Sequence, residues 1–578
     1  MPDAALALAP FQRAAVVIEE WLDGPGAAFA TRTRQPDPRR KVASWDLELD
    51  HAAVGRQRVS ISITRNFPST PPEVHFDKRL CLLLPHIEED GRFCHGIEAD
   101  PRDYDDPVEA VRAVLERLRD FWNNSADDEW VAIEFQNESL SYWQRFCAKY
   151  KPVHGAASAS EVRVALTTLG GPAEGRYAAY FKRSQKARSD MIVATPGETN
   201  PHGLAVRHGW NVGTLVRGHA LFVPLDASQP WTPSAWPGTL LQLEDLVATA
   251  TDHTQSVAKW IEDNKKESPH AFLVVLVHGR TCYGYLVYPG PVARLTQPTI
   301  APVIIERVDA DWALARDHQV GTLHTRREKR VLVLGCGSLG APVAELLARA
   351  GVGELHLVDK EYFGIENCAR HLLGASDIGE SKSSNLALRL RKLVPGLTVK
   401  PYRALAVDWV RQTCKPSMYD LIVDCTGESS VRVALSRLRQ VHLGAAGIAH
   451  AWMEPFCAAA HVVHLQDGED WPYDDPGGKV NVAAWPDDTR VELPACNAGF
   501  HPYGVADAWQ AAGFATERLL AALDGEVTSS TVWSWVRSSA FFESLGVAVE
   551  PGPLIPQSAF AFDATQLTRT YKEVFGNG

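Results

Sequence analysis

The 578-residue chain is short of several things, and each shortage excludes something. It has 10 Cys and no Cys-x-x-Cys pair anywhere. Neither a disulfide framework nor a structural zinc built from paired cysteines is expected. No apolar run approaches the roughly 18–20 residues that cross a bilayer, and residues 271–277 have the length of a buried strand. The N-terminal MPDAALALAPFQR puts no basic leader before its short apolar run, so it does not read as a secretory signal. Positive charge is also scarce: 58 Lys+Arg against 70 Asp+Glu gives a net charge of −12. That opposes a protein built to coat nucleic acid or an anionic membrane. The expectation is a cytoplasmic protein with reduced thiols, no membrane and no direct nucleic-acid partner.

Bulky apolar residues are plentiful, with 17 Trp and 20 Phe in a chain that is 45% hydrophobic. At roughly 150 residues per domain the length allows three or four folding units. Texture separates three regions. Residues 1–153 open with an amphipathic helix over 10–22, alternate like strands over 44–49 and 59–64, cross a Pro-rich segment at 67–74, and end in helices over 108–122 and 140–149. This reads as an α+β unit. A small-residue linker, 154–160, leads to residues 161–325, mixed α/β sequence with strands at 271–277 and 283–288 and no chemistry to assign. Residues 326–578 begin with a continuous apolar strand at 330–334, a Gly-rich turn, a helix through Ala350 and a second strand ending at Asp359. A strand at 420–424 extends this βαβ pattern.

Gly335, Gly337 and Gly340 have the G-x-G-x-x-G spacing, directly after a strand and before a helix. Such glycines let backbone N–H groups and a helix N-terminus approach phosphate, and Asp359 stands where an acid accepts from a ribose hydroxyl. NAD and a dehydrogenase are the first rival reading. The stretch Asn367-Cys368-Ala369-Arg370-His371, followed by Asp377-Ile378-Gly379-Glu380-Ser381-Lys382, favours ATP instead. Two cations and an amide suit a triphosphate attacked at its α-phosphorus. Residues 330–523 resemble the ThiF-like adenylyltransferases, the superfamily of ubiquitin-activating enzymes, whose N-x-x-R and D-I-G-x-x-K stretches match at Asn367, Arg370 and Lys382. The resemblance implies ATP with Mg2+. This chain has Gly427 where the family usually places its magnesium-holding Asp, so Asp424 is the expected metal ligand and Glu428 the alternative. The family's frequent zinc cysteines are missing too.

Two cysteines stand in contexts that suit acyl transfer. Cys496 lies in Leu493-Pro494-Ala495-Cys496-Asn497-Ala498-Gly499, after an acidic, Pro/Gly-rich loop and before a helix beginning near Val505. A thiol near a helix N-terminus among small residues can ionise readily and meet a mobile partner. By resemblance, this is the crossover segment whose thiol receives an adenylated C-terminus. Cys94 follows Leu84-Pro85-His86 and an Asp90-Gly91 turn, with Tyr104-Asp105-Asp106-Pro107 beyond. Residues 10–150 resemble the ubiquitin-conjugating fold, in which such a loop presents the thiol and a nearby donor stabilises the oxyanion. His86 stands in place of that fold's usual Asn, and Tyr104 in place of its Trp. Cys81 reads as a poor rival inside an apolar, strand-like run over 80–84, and Cys425 and Cys457 as residents of apolar strand contexts.

The three regions in this order are similar to the fused ubiquitin-transfer-like proteins of bacterial antiphage CBASS operons. That resemblance implies a catalytic set of Cys94, Cys496, Arg370 and His86, and a homodimer formed through the activating region. It also implies a protein cargo with a flexible C-terminus, a cGAS-like nucleotidyltransferase, joined to a lysine amine. Sulfur-carrier activation for cofactor biosynthesis is the alternative enzyme reading, and a non-catalytic conjugating-fold scaffold is the third.

Overall fold

A computed structural model describes residues 10–29, 31–34, 43–149, 159–166, 169–181, 190–268, 271–289, 299–314, 320–472, 477–486, 489–491 and 500–576. The chain forms two compact units. One comprises Met1–Ala205 and Asn211–Glu306, the other Val206–Trp210 and Arg307–Gly578. Among the described residues no helix is long and apolar enough to cross a membrane.

The first unit begins with helix α1 (Pro10–Asp23). Strands β1 (Thr31–Arg34), β2 (Ala43–Leu49), β3 (Gln57–Ile63) and β4 (Glu73–His75) follow, pairing antiparallel in chain order. Alternation in β3 sends Val59, Ile61 and Ile63 inward, where α2 (Pro107–Asn124) covers them with Val111, Val114, Leu118 and Phe121. Burying each such side chain stabilises the unit by about 1.5–3 kcal/mol. The Asp106-Pro107 pair starts α2: Asp106 accepts from the Glu109 amide and Pro107 fills the first turn, where its missing N–H costs nothing. Helix α3 (Asp128–Asn137) was not expected from the sequence, because it buries only Phe135 and so has almost no apolar period. The run 80–84 is not a strand. It is a pair of turns with Leu82 at φ 68°, and Cys81 is buried in it.

Helix α4 (Ser139–Lys149) turns its apolar face toward the second sheet of this unit. Its Trp143 packs against Trp236, Tyr283 and Tyr285, and the indole N–H donates to the Val303 carbonyl (3.0 Å). That sheet has eight strands. They are β5 (Ala159–Val164), β6 (Ala173–Phe181), β7 (Asp190–Pro196), β8 (Thr214–Leu225), β9 (Phe272–His278), β10 (Thr281–Tyr288), β11 (Thr299–Val303) and β12 (Ile305–Arg307), in the order 11-10-9-8-6-7-5-12. Strand β5 starts at Ala159, so the expected linker ends inside a strand.

The second unit is built on β13 (Arg330–Leu334), β14 (Glu354–Val358), β15 (Thr398–Tyr402), β16 (Leu421–Asp424), β17 (Gly447–Met453) and β18 (Ala459–Leu465), extended by strands Thr531–Arg537 and Ala564–Thr570. The order 15-14-13-16-17-18 is parallel through β17 and antiparallel beyond. The strand expected as third is therefore fourth: β15 was missed because it is an edge strand carrying Lys400 and Pro401. Helices Gly340–Arg349 and Val505–Leu523 pack on one face of this sheet around Leu347, Ala511 and Leu519. Strand order reverses between β14 and β16 on either side of β13. Ligands of doubly wound sheets bind in the crevice at such a reversal.

A buried ion pair ties the approach to β13 to the rest of this unit. Arg326, 1% exposed, donates through Nε (3.0 Å) and Nη2 (2.5 Å) to Asp524 at the end of helix Val505–Leu523, and through Nη1 to the Ala350 carbonyl. Removing one partner of such a pair leaves an uncompensated buried charge. Asp524→Ala is expected to cost about 3–5 kcal/mol, read as a lowered denaturation midpoint of the second unit in the full chain.

Candidate functional site

The Gly-rich turn is held by its own backbone and by two side chains. Gly335 takes φ +85°, and a Cβ there would stand 2.9 Å from the Cys425 carbonyl carbon and Thr426 nitrogen. A Cβ on Gly340 would meet the Gly335 carbonyl oxygen at 1.9 Å, so a bare helix start packs on the turn. Gly337 has nothing within 4 Å, which leaves open space over the turn. Between the first two glycines of the motif, the Cys336 amide donates to Asp359 Oδ2 (2.7 Å). The Cys336 carbonyl accepts from His371 Nε2 (2.6 Å), while His371 Nδ1 accepts from the Leu373 amide (3.0 Å). That second bond fixes the tautomer, and burial lowers the imidazole pKa, so His371 is a neutral clamp.

The crevice beyond the turn encloses about 250 Å³. Val358, Leu405, Val407 and Val431 give it apolar walls, and Asp359, Glu361, Asp408 and Glu428 bring carboxylates against Lys360. Asp359 also accepts from the Glu361 amide through Oδ1 (2.7 Å), so it shapes the turn as well as facing the crevice. Lys382, 5% exposed at the start of helix Lys382–Leu393, donates to Glu361 Oε2 (2.6 Å). Asn367 donates to Glu366 Oε1 (3.0 Å).

Arg370 lies between two rings, its guanidinium carbon 4.6 Å from the Phe500 centroid and 5.1 Å from that of Tyr503. Stacking occupies its faces and leaves its N–H edges without a hydrogen bond among the described residues. The Tyr503 hydroxyl bonds the Ser338 hydroxyl inside the Gly-rich motif. Phe500 pairs with Val491 through two backbone bonds (2.8 and 2.9 Å), which closes the base of the segment 492–499. Cys496 belongs to that segment and lies outside the described residues. The sequence reading missed Phe500, Tyr503 and the clamp role of His371. Their only signal is aromatic identity after Cys496 and adjacency to Arg370.

Asp424 sits behind the crevice and does not line it. It is 2% exposed, accepts from the Thr426 amide (3.0 Å) and hydroxyl (2.7 Å), and contacts His450 Nδ1 at 2.9 Å. Burial works to raise its pKa, but these bonds outweigh it and hold the carboxyl below its ordinary value. Glu428, the alternative acid, does line the crevice. Glu428 stands 3.8 Å from Lys360. Among the described residues no cluster of three metal-ligating side chains occurs.

In the first unit, Cys94 is the one exposed thiol among the described cysteines. Its amide donates to the His86 carbonyl (2.8 Å), and Gly91 turns at φ +92° against the Phe76 carbonyl. Neighbouring Phe93 is anchored 4.6 Å from the Phe121 ring. The His86 side chain is committed elsewhere. Its Nε2 contacts Glu134 Oε2 at 2.8 Å and its Nδ1 stands 3.6 Å from Glu138, beside Phe121 and Trp130. Two carboxylates thus stand near the ring, and only the Glu134 contact is of hydrogen-bond length. The His86 backbone is held at φ 59°.

A parallel sheet reversing at β13, a Gly-rich turn and a strand-end acid beside Lys360 form a crevice of the kind in which doubly wound domains bind ligands. Residues 313–451 match the ThiF family model, in agreement with the ThiF-like resemblance drawn from the motifs. It is 33% identical over 384 residues to the ATP-dependent ubiquitin transferase-like protein Cap2 of Pseudomonas aeruginosa, covering 62% of this chain and 64% of that one. It is 38% identical over 139 residues to the adenylyltransferase and sulfurtransferase MOCS3 of Mus musculus, covering 23% of this chain and 30% of the relative. The chain thus spans less than two thirds of either relative. The crystal structure of E. coli MccB with ATP aligns with 40% of this chain and 68% of its own at 15% identity, with a TM-score of 0.29 that carries no argument.

Burial pushes the Cys336 and Cys425 thiols well above their ordinary pKa, whereas Cys94 is open to solvent. Reactivity follows thiolate fraction and access, so Cys94 is expected to alkylate at least about tenfold faster than Cys336 or Cys425. Peptide-resolved mass spectrometry of the full chain checks this.

Proposed function

We propose that the chain is an ATP-dependent ubiquitin-transferase-like enzyme. A carboxylate oxygen of a protein C-terminus attacks the α-phosphorus of ATP at the crevice, forming the acyl-adenylate and releasing pyrophosphate. Arg370 and Lys382 stabilise the charge that builds on the phosphates, and Asn367 assists in positioning them. Lys382 must exchange Glu361 for phosphate as the nucleotide enters. A Mg2+ ion fits the donor set, because the crevice wall is acidic and a triphosphate beside it needs a cation between them. Glu428 would hold that ion, which shields the phosphate oxygens when bound.

The Cys496 thiolate then attacks the acyl carbon and AMP leaves. The Cys94 thiolate displaces Cys496, a lysine amine displaces Cys94, and the product is an amide. The observation that carries this reading is the tie between Arg370 and the base of the Cys496 segment through Phe500 and Tyr503. In sequence, Cys496 precedes Phe500 by four residues, which supports the reading. Exposure of Cys94, alone among the described cysteines, supports the second step. We take the cargo to be a cGAS-like nucleotidyltransferase, the setting to be a reducing cytoplasm, and the assembly to be a homodimer through the second unit. Similarity to a sulfurtransferase favours sulfur-carrier activation as the second reading, in which Cys94 is dispensable.

The test is cargo-dependent exchange of pyrophosphate into ATP. Arg370→Ala and Lys382→Ala are expected to lower exchange by roughly 10²-fold or more. Cys496→Ala should keep exchange yet form no thioester, and Cys94→Ala should charge Cys496 but make no amide. Normal conjugation by Cys94→Ala, or NAD reduction without exchange, overturns the reading. Phe500→Ala removes one stacking face of Arg370 and should reduce exchange about tenfold, the equivalent of ~1.4 kcal/mol, with recovery in Phe500→Tyr.

A further inference from the structure

We propose that the first unit contains a second anion site, for a phosphate-type oxyanion, between the loop 78–89 and the last turns of α4. A cavity of about 350 Å³ opens there, lined by Lys78, Arg79, Cys81, Glu89, Arg145 and Lys149. Four cations and one acid line it, and Asp77 and Glu88 pair with two of the cations from outside the lining. Arg79 is engaged by Asp77, but Lys78 and Lys149 have no acid within ion-pair distance among the described residues.

Arg145 is the centre of the site. It is 8% exposed, its guanidinium lies 4.9 Å from the Tyr142 ring centroid, and Nη2 is 2.8 Å from Glu88 Oε2. Its Nη1 is buried without a hydrogen-bond partner among the described residues. An unmade bond on a buried charged donor is costly, and a bound acceptor removes that cost. The C-terminal end of α4 brings partial negative charge to this spot, which Lys149 offsets. The side chains therefore carry the anion. Donors converge from the loop and from the helix, which suits a tetrahedral group with oxygens on several sides better than a planar carboxylate with two. The volume, at the lower end for small-ligand sites, admits phosphate with a small esterified group.

Occupancy would bear on the Cys94 loop. Glu88, which shares Arg145 with the incoming oxyanion, also donates its amide to the Arg92 carbonyl (2.8 Å) in the turn before Cys94. The site itself does not depend on the proposed acyl transfer.

Calorimetric titration of the full chain tests it, in a Lys382→Ala background that weakens phosphate binding at the nucleotide crevice. Inorganic phosphate, glycerol 3-phosphate and acetate are the probes. Phosphate should bind once per chain, and Lys78→Glu with Lys149→Glu should weaken it at least about tenfold, ~1.4 kcal/mol. Tighter binding of glycerol 3-phosphate than of inorganic phosphate identifies an ester as the source, and the reverse identifies the free ion. Arg145→Met should abolish binding, and if that variant unfolds, the surface lysine pair decides. Phosphate affinity unchanged by the lysine reversals, or acetate binding as tightly as phosphate, overturns the proposal.

Discussion

The backbone of a single residue organises the Gly-rich turn of this protein. The Cys336 N–H is held by Asp359 and its carbonyl by His371, so the Gly-rich turn is gripped at two points by the segment that follows β14. Asp359 caps β14, and His371 immediately follows Arg370. The grip therefore ties Asp359, on the crevice wall, and the segment that carries Arg370 to the same turn. Weakening it would loosen both.

Elsewhere the second unit keeps its charged groups by supplying each with neighbours of suitable chemistry. Arg370 is held by two aromatic faces, which orient it while leaving its N–H edges available. Lys382 is parked on Glu361, a partner that a polyanion can displace. Asp424 bonds Thr426 and His450 and so shapes the loop after β16. A buried carboxylate is stable when such partners satisfy it.

The first unit shows the same economy around a thiol. Cys94 is exposed on a turn whose rigidity comes from Phe93 in an aromatic cluster and from the His86 carbonyl. The His86 ring is oriented by Glu134, with Glu138 close to its other nitrogen. Helix α4, with its tail against the second sheet, joins this fold to the next through Trp143.

Much of this was legible in the chain itself. Continuous apolar runs marked β13, β14 and β16, and Gly spacing marked the turn, since these signals are local and follow from backbone sterics and burial period. Edge strand β15 and helix α3 were not legible, because neither buries enough of one face to leave a periodic trace. Nor were the partners of the site. Phe500 and Tyr503 meet Arg370 from 130 residues away or more, Asp424 turns inward toward His450, and His86 finds two acids on or beside a later helix. The sequence by itself determined which residues could do chemistry and in what order along the chain. Only the tertiary structure decided which of them are free to do it, because hydrogen-bond capacity is finite and the competing partners come from distant segments.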